Sequence, residues 1–166
     1  MDFKNINHQI KLKQMPGKVI FQSEALAELK LSLPFSDALP PTHVLERVRL
    51  RLAENIEPVW ALPFLILHNN QITGCCGFKN RPQNGTVEIG YNVAEQARGL
   101  GIASAAIYEL IKLIKTREEV SVIKALIAAD NLGSIRVVQK NGFLFHRHET
   151  DDEGEELECW QRLIRN

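Results

Sequence analysis

Residues 96–103 are Gln96-Ala97-Arg98-Gly99-Leu100-Gly101-Ile102-Ala103, and good helix formers follow at once, from Ser104 to Lys115. Two glycines one residue apart remove the Cβ atoms from a bend, so the backbone can approach a ligand or adopt positive φ. The N–H groups of the first helical turn lack partners within the helix, which favours a bound anion. Arg98 can add a forked cation. The pattern predicts a phosphate-binding loop, with a purely structural turn as the alternative.

Two other phosphate-binding loops fit the sequence less well. A Walker loop ends in Gly-Lys-Ser/Thr, which is absent here. A dinucleotide fingerprint needs Gly or Ala where Ser104 stands, and it should open a β-α-β unit. The strands predicted before Gln96 are instead hairpin-linked, and too little chain follows for a doubly wound sheet.

The motif Gln/Arg-x-x-Gly-x-Gly/Ala, present as Gln96, Gly99 and Gly101, resembles the pyrophosphate loop of the GNAT acyltransferases, which bind acetyl-CoA. The strand Thr86–Val93 and the segment Asp130–Phe143 are similar to the ribosomal-protein-acetyltransferase-like branch of that family. The resemblance implies an α/β (α+β) GNAT fold, with a mixed, mostly antiparallel sheet of six to seven strands and helices on both faces. We expect residues 1–166 to form a single acetyltransferase domain.

The composition is typical of a globular protein. Lys plus Arg and Asp plus Glu are equal at 20 each, so nothing indicates a nucleic-acid or membrane surface. Met1 to Lys13 lacks the apolar core of an export signal, and no apolar run approaches the length of about 18 residues typical of a membrane span. Cys75, Cys76 and Cys159 lack metal-ligand spacing and cannot all pair, so we expect no metal and a cytoplasmic location.

The first part of the chain predicts one strand and two helices. The first strand is either His8 to Lys13, which alternates polar and apolar residues, or Lys18 to Gln22. Ser23 is the predicted N-cap of a helix through Leu33 that stops at Pro34, and Thr42 the N-cap of a second helix. The apolar face of the second helix carries Val44, Leu45, Val48 and Leu52. The resemblance implies that these helices wall the acceptor pocket.

The remaining chain predicts a meander followed by alternating elements. The predicted strands are Trp60 to His68, Gln71 to Lys79, Thr86 to Val93, Ser121 to Ala129, Phe143 to His148 and Glu155 to Ile164. Short connections make the first three antiparallel. The apolar run Ser121 to Ala129 is typical of a central strand covered on both faces. The predicted helices run from about Gly99 to Arg117 and from Asn131 to Asn141, the latter ended by Gly142.

The resemblance also implies how acetyl-CoA is bound. Its pantetheine arm would enter between strands that splay apart after Val93 and about Asp130, pairing with backbone near Asn92 and Val93. Asn131 resembles the family asparagine that touches this arm, and an N-cap role would explain it equally. The expected cofactor-binding residues are Asn92, Val93, Gln96, Arg98, Gly99, Leu100, Gly101, Ile102, Ala103, Asn131 and Ser134.

The implied reaction is direct attack of a primary amine, on a small molecule or a protein N-terminus, on acetyl-CoA in a ternary complex. An amine is nucleophilic only when neutral, so the site needs a base. Glu88 is the candidate because many family members place a base in this strand; a solvated strand glutamate is the alternative. A backbone N–H near Asn92 or Val93 would stabilise the oxyanion.

The general acid departs from the commonest family pattern. Many members carry a tyrosine where this chain has Val138. Ser134 is the candidate substitute, while helix capping or hydrogen bonding to CoA is the alternative role. Because of Val138, a non-catalytic acetyl-CoA-binding module of the same fold is the alternative function.

The amine acceptor is not identified by the sequence. Acidic residues surround one predicted hairpin: Glu149, Asp151, Asp152, Glu153, Glu155, Glu156 and Glu158. In the family this hairpin borders the acceptor side, so its field would attract a cationic amine. A solvated turn that protects a sheet edge is the alternative. The chain is compatible with a monomer or a homodimer.

Overall fold

A seven-stranded sheet with the order β1-β2-β3-β4-β5-β7-β6 forms the centre of the computed structural model, which describes residue 6 and residues 9–164. The strands are β1 (Ile10–Gln14), β2 (Phe64–His68), β3 (Gln71–Phe78), β4 (Thr86–Val93), β5 (Val122–Ile127), β6 (Leu144–Thr150) and β7 (Glu156–Leu163). The helices are α1 (Gly17–Phe21), α2 (Thr42–Ala53), α3 (Pro58–Ala61), α4 (Ile102–Ile114) and α5 (Leu132–Lys140). Short 3₁₀ turns cover Ser23–Leu29, Ser36–Ala38 and Glu95–Ala97.

The strand pairing confirms the predicted mixed sheet. Strands β1 to β4 pair antiparallel in sequence, β4 and β5 pair parallel, and β7 lies antiparallel between β5 and β6. The buried core is continuous and is dominated by aliphatic side chains of the strands and of α4. Within the described residues, no helix combines the length and the apolar character needed to cross a membrane.

The first strand settles one of the two predicted alternatives. Strand β1 overlaps the predicted segment from His8 to Lys13, of which His8 lies outside the described residues. The alternative strand, Lys18 to Gln22, is wrong because Gly17–Phe21 is helical. Pro16 precedes this turn, the Val19 N–H donates to the Pro16 carbonyl, and the turn buries Ile20 in the core. Core burial therefore outweighs the β-propensity of the segment.

Both predicted side-chain caps are wrong. The helix expected from Ser23 to Leu33 is a 3₁₀ segment that ends at Leu29, where Lys30 adopts φ 53°. Ser32 instead bridges to Gln71 at the edge of β3. Helix α2 is confirmed, but Thr42 is its first residue, the cap position is Pro41, and no side chain caps it.

Two further predictions need correction. The strand expected from Trp60 begins at Phe64, because Pro58 opens α3 and Trp60 packs edge-on against Phe78 at 4.9 Å between ring centroids. Strand β5 is not covered on both faces, since its residues alternate between buried and partly exposed. Helix α4 is shorter than the predicted Gly99 to Arg117 at both ends.

Candidate active site

Strands β4 and β5 separate partway along their length, as predicted. Their parallel pairing covers only Thr86, Val87 and Glu88 on β4, whereas β4 stays paired with β3 as far as Val93. A gap therefore opens beside the second half of β4. Its other wall is formed by the chain that follows β5.

The hydrogen bonds of β4 determine which backbone groups face this gap. The Glu88 carbonyl accepts from the Lys79 N–H at 2.8 Å, and the Ala94 N–H donates to the Thr73 carbonyl at 2.9 Å. Alternate residues of an antiparallel strand bond to the same neighbour. The backbone of Asn92 therefore faces β3, and that of Tyr91 and Val93 faces the gap. Of the two residues expected to pair with the pantetheine arm, only Val93 has the required backbone direction.

The glycine loop has the predicted backbone conformation. Gly99 has φ 77° and Gly101 has φ 79°, in the left-handed region where a side chain is strained. Gly101 is also the cap position of α4, so the first turn of that helix begins directly at the loop. A Cβ atom on Gly99 would find no heavy atom within 4 Å, which leaves the backbone open to a ligand.

A cavity of about 550 Å³, here called the loop cavity, lies beside this loop. It is lined by nine of the eleven predicted cofactor-binding residues: Asn92, Val93, Arg98, Gly99, Gly101, Ile102, Ala103, Asn131 and Ser134. Gln96 and Leu100 are not among the lining residues, and both are exposed. The structure therefore brings together most of the predicted set and leaves these two side chains outside.

Arg98 is held at the rim of the loop cavity. Its Nε donates to the Val93 carbonyl at 3.0 Å, which anchors the guanidinium to the end of β4. Sequence reasoning missed two further cations of this cavity, Arg136 and Lys140 on α5. Their spacing of four residues, which places two side chains on one helix face, was the available signal.

A second cavity of about 380 Å³, here called the α2 cavity, lies between α2 and the strands β3, β4 and β5. It shares four lining residues with the loop cavity: Tyr91, Asn92, Asn131 and Ser134. We call the meeting point of the two cavities the junction. The described residues that line the α2 cavity include His43, Arg47, Arg51 and Lys79 but neither Asp nor Glu.

The junction is fixed by three hydrogen bonds. The Tyr91 hydroxyl donates to the Ser134 carbonyl at 2.9 Å, and the Ser134 N–H donates to Asn131 Oδ1 at 3.1 Å. The second bond confirms that Asn131 caps α5. Asn92 Nδ2 donates to the Asp37 carbonyl at 2.8 Å. Ser134 Oγ makes no hydrogen bond to the described residues, so the hydroxyl is available at the junction.

Glu88 lies away from the junction and carries an ion pair. Its Oε1 is 2.7 Å from Lys79 Nζ, and its side chain is 16% exposed. A Cβ on Gly90 would lie 3.2 Å from Lys79 Cε, so the lysine stem crosses Gly90 to reach Glu88. Glu88 is not among the lining residues of either cavity. Its role as a base stays a prediction.

Other candidate nucleophiles and acids are suppressed by burial. Burial raises the pKa of the Cys75 thiol to about 12 and that of the neighbouring Cys76 thiol well above its ordinary value. Burial also raises the pKa of Tyr91 to about 12. Val138 is fully buried in the core. The described residues contain no group of three or more His, Cys, Asp or Glu arranged to hold a metal ion.

The acidic hairpin lies at the same end of the sheet as the cavities, because Glu158 pairs with Ile127 at the end of β5. None of its acidic residues lines either cavity. Asp151 Oδ1 accepts hydrogen bonds from the N–H groups of Glu153 and Glu155 at 2.9 and 2.8 Å. Asp151 therefore holds the turn.

Residues 22–144 match the family described as acetyltransferase (GNAT) domain. The chain therefore belongs to the GNAT acetyltransferase family, which confirms the resemblance seen in its motifs.

Two relatives are known from their sequences. The chain is 38% identical over 79 residues to the uncharacterized N-acetyltransferase YjdG of Bacillus subtilis (strain 168), covering 47% of each protein. It is 33% identical over 86 residues to the uncharacterized N-acetyltransferase p20 of Bacillus licheniformis, covering 48% of each. The matched part thus spans about half the length of these relatives.

Solved structures share the fold at lower identity. RimL, a ribosomal L7/L12 alpha-N-protein acetyltransferase in complex with coenzyme A, matches with a TM-score of 0.68 at 20% identity, over 96% of both chains. The spermidine N-acetyltransferase SpeG from Vibrio cholerae matches at 0.66 and 14%, over 95% of both chains. The aminoglycoside acetyltransferase AAC(6')-Ib in complex with coenzyme A matches at 0.65 and 18%, over 93% of this chain and 94% of that one.

Proposed function

We propose that the protein is an acetyl-CoA-dependent N-acetyltransferase that transfers the acetyl group to a primary amine, acting as a single domain. The observation that carries this proposal is the glycine loop at the start of α4, which lines a cavity that meets a second cavity at the junction. The donor would occupy the loop cavity and the acceptor the α2 cavity. Their reacting groups would then meet beside Tyr91 and Ser134.

The residues of the loop cavity fit the chemistry of CoA. The N–H groups at the start of α4 and the open backbone of Gly99 suit its pyrophosphate. Arg136 and Lys140 suit the phosphate on its ribose, as cations on one face of α5. The Tyr91 and Val93 backbone groups that face the gap suit the amides of the pantetheine arm, which would pair like an added strand.

The chemistry is direct transfer. The neutral amine nitrogen attacks the acetyl carbonyl carbon, the carbon–sulfur bond breaks, and the CoA thiolate leaves and takes up a proton. The Val93 N–H is the backbone donor for the developing oxyanion, and the Ser134 hydroxyl is the nearest proton source for the thiolate. The raised pKa of Cys75, about 12, supports direct transfer because a neutral thiol is a poor nucleophile.

Glu88 is our proposed base, acting through water. Four residues of β4 separate Glu88 from Asn92, which corresponds to roughly 13 Å along a strand. A proton would therefore travel along the α2 cavity to the carboxylate at its far end. Lys79, paired with Glu88, lines that end of the cavity.

A cytoplasmic location belongs to the same proposal. The three cysteines of the chain are free and buried, which fits a reducing compartment.

The test has two stages. Acetyl-CoA at 100 times its Kd should stabilise the fold by about 2.7 kcal/mol in thermal unfolding, and an absent shift would overturn the proposal. Release of free CoA thiol in a panel of primary amines should then report turnover.

A second function rests on Val138. A buried valine stands where many family members have a tyrosine, so a module that binds acetyl-CoA without transferring the acetyl group is the alternative. The two functions differ in the second stage alone. A thermal shift without thiol release across the amine panel would favour the binding module.

A further inference from the structure

Basic side chains line one face of α2 towards the α2 cavity. His43, Arg47 and Arg51 recur at intervals of four residues, so they lie on one helix face about 6 Å apart along the axis. We call these three residues the basic ridge. Lys79 continues it on the opposite wall of the cavity.

The positive charge of this ridge is not balanced within the cavity wall. Lys79 pairs with Glu88, whereas Arg47 makes no hydrogen bond or ion pair with the described residues. Arg51 Nη1 donates to the Phe78 carbonyl at 3.0 Å, while its Nε is buried without a partner among the described residues. Burial and the charge of Arg47 both lower the pKa of Arg51, which shows that the two guanidinium groups lie close enough to repel.

Two arginines that face a cavity without a carboxylate in its lining are suited to an anion from the ligand. We infer that the acceptor is a small primary amine that also carries a carboxylate, and that Arg47 and Arg51 bind this carboxylate while the amine lies at the junction. This inference rests on the proposed acetyltransferase function and specifies the substrate class of the same site.

The direction of α2 defines the length of such an acceptor. The chain just before α2 is tied to the junction through Asp37 and Asn92, and the far end of α2 reaches Phe78 through Arg51. On β3, Cys75 lies opposite Asn92, and Phe78 is three residues further on, which corresponds to about 10 Å. Arg47 lies one helical turn, about 6 Å, nearer to the junction. Two residues of extended peptide span about 7 Å, so a dipeptide fits the interval.

The other walls of the cavity match a ligand with an apolar middle. Val44, Val48, Phe78, Ile89 and Leu126 line the space between the ridge and the sheet. The volume of about 380 Å³ is near the lower end of small-molecule sites. We therefore commit to a dipeptide with an apolar second residue as the probe.

The acidic hairpin favours the opposite acceptor, a polycation. It lies at the same end of the sheet, so its field reaches the cavities even though it contributes no lining residue. Contact with the ridge and attraction by the hairpin therefore make opposite predictions for the same assay.

The experiment measures kcat/KM by thiol release for glycyl-leucine, glycyl-leucinamide and spermidine at saturating acetyl-CoA. The free dipeptide should exceed its amide by about 10- to 100-fold, the range of a charge-assisted hydrogen bond. Arg47→Gln should remove most of this preference by raising KM for the free dipeptide, with the KM for acetyl-CoA unchanged. Arg81→Gln is the matched control, because Arg81 is exposed and lines neither cavity, and it should keep the wild-type preference.

Two results would overturn the inference while leaving acetyl transfer intact: equal rates for dipeptide and amide, or a preference for spermidine. If none of the three acceptors turns over, calorimetry with N-acetylglycyl-leucine and its amide on the CoA complex decides. Tighter binding of the free acid that is lost in Arg47→Gln supports the inference, and equal or absent binding of both contradicts it. Failure of the proposed function differs from all of these, because acetyl-CoA itself would not stabilise the protein.

Discussion

The hydroxyl of Tyr91 donates a 2.9 Å hydrogen bond to the backbone carbonyl of Ser134, across the gap that opens where β4 and β5 stop pairing. This bond ties the gap-facing side of β4 to the first turn of α5, and both residues line both cavities. The width of the junction is therefore set by one buried phenol.

Removing this hydroxyl should loosen the junction. Tyr91→Phe leaves the Ser134 carbonyl without its donor, so we expect a loss of about 1 kcal/mol in unfolding free energy and a lower kcat. The control is Tyr108→Phe, because Tyr108 is exposed on α4. The raised pKa of Tyr91, about 12, keeps the phenol protonated below pH 10, so no Tyr91 titration should appear in the wild-type rate profile. Equal stability of the two variants would remove Tyr91 from this role.

The glycine loop can be tested without confusing backbone strain with ligand contact. Gly99 and Gly154 have φ 77° and 83°, and a Cβ on either would meet no heavy atom within 4 Å. Gly99→Ala and Gly154→Ala should therefore each cost about 1 kcal/mol of stability. Only Gly99→Ala should weaken acetyl-CoA binding in calorimetry, by tenfold or more. Equal affinities in the two variants would contradict a phosphate site at the loop.

The assignment of Arg136 predicts dependence on a single phosphate group. Arg136→Gln should weaken acetyl-CoA binding about tenfold, the effect of one charge-assisted contact. Acetyl-dephospho-CoA, which lacks the ribose phosphate, should bind the variant and the wild type equally. A matching loss for both ligands would place Arg136 elsewhere on the donor.

The role of Glu88 can be separated from that of its ion pair. Glu88→Gln removes a base while keeping its shape, so kcat/KM should fall by about 10² to 10⁴-fold at neutral pH and partly recover at higher pH as neutral amine accumulates. Lys79→Met also breaks the ion pair but keeps the carboxylate, so it should retain most activity. If both variants lose activity to the same extent, the ion pair matters and the base does not.

The far edge of the sheet should lose stability in acid. The hydrogen bond from Lys124 to Glu149, at 2.9 Å, lowers the pKa of Glu149. A lowered folded-state pKa contributes stability above the unfolded value of about 4.3, and this is lost as pH falls through the folded value. Lys124→Met should therefore reduce the unfolding free energy by about 1 kcal/mol at pH 7 and by little at pH 3. Denaturant titrations at both pH values measure the difference, and an equal loss at both would assign the effect to packing.

The parts of the fold that depend on local chemistry were predictable. Gly99 and Gly101 announce the loop because only glycine adopts their conformation readily, and Asn131 announces a helix start. Trp60 was placed in a strand because its aromatic ring suits either element, and only its packing on Phe78 decides. Ile20 was misassigned for the same reason.

Site features that depend on register were not predictable. Alternation separates Asn92 from Val93, but only the pairing with β3 tells which backbone faces the gap. The ion pair of Glu88 with Lys79 joins two strands whose offset is set by the loop between them. The spacing of His43, Arg47 and Arg51 is plain in the sequence, yet nothing local shows that this helix face meets a cavity.

The two cavities are built from different parts of the chain. Helix α2 contributes five lining residues to the α2 cavity and none to the loop cavity, while the glycine loop contributes only to the loop cavity. Substitutions in α2 can therefore change which amine is accepted without disturbing the donor. Such a division allows a lineage to diverge in specificity by drift in one short helix, because selection on donor binding does not act on those positions.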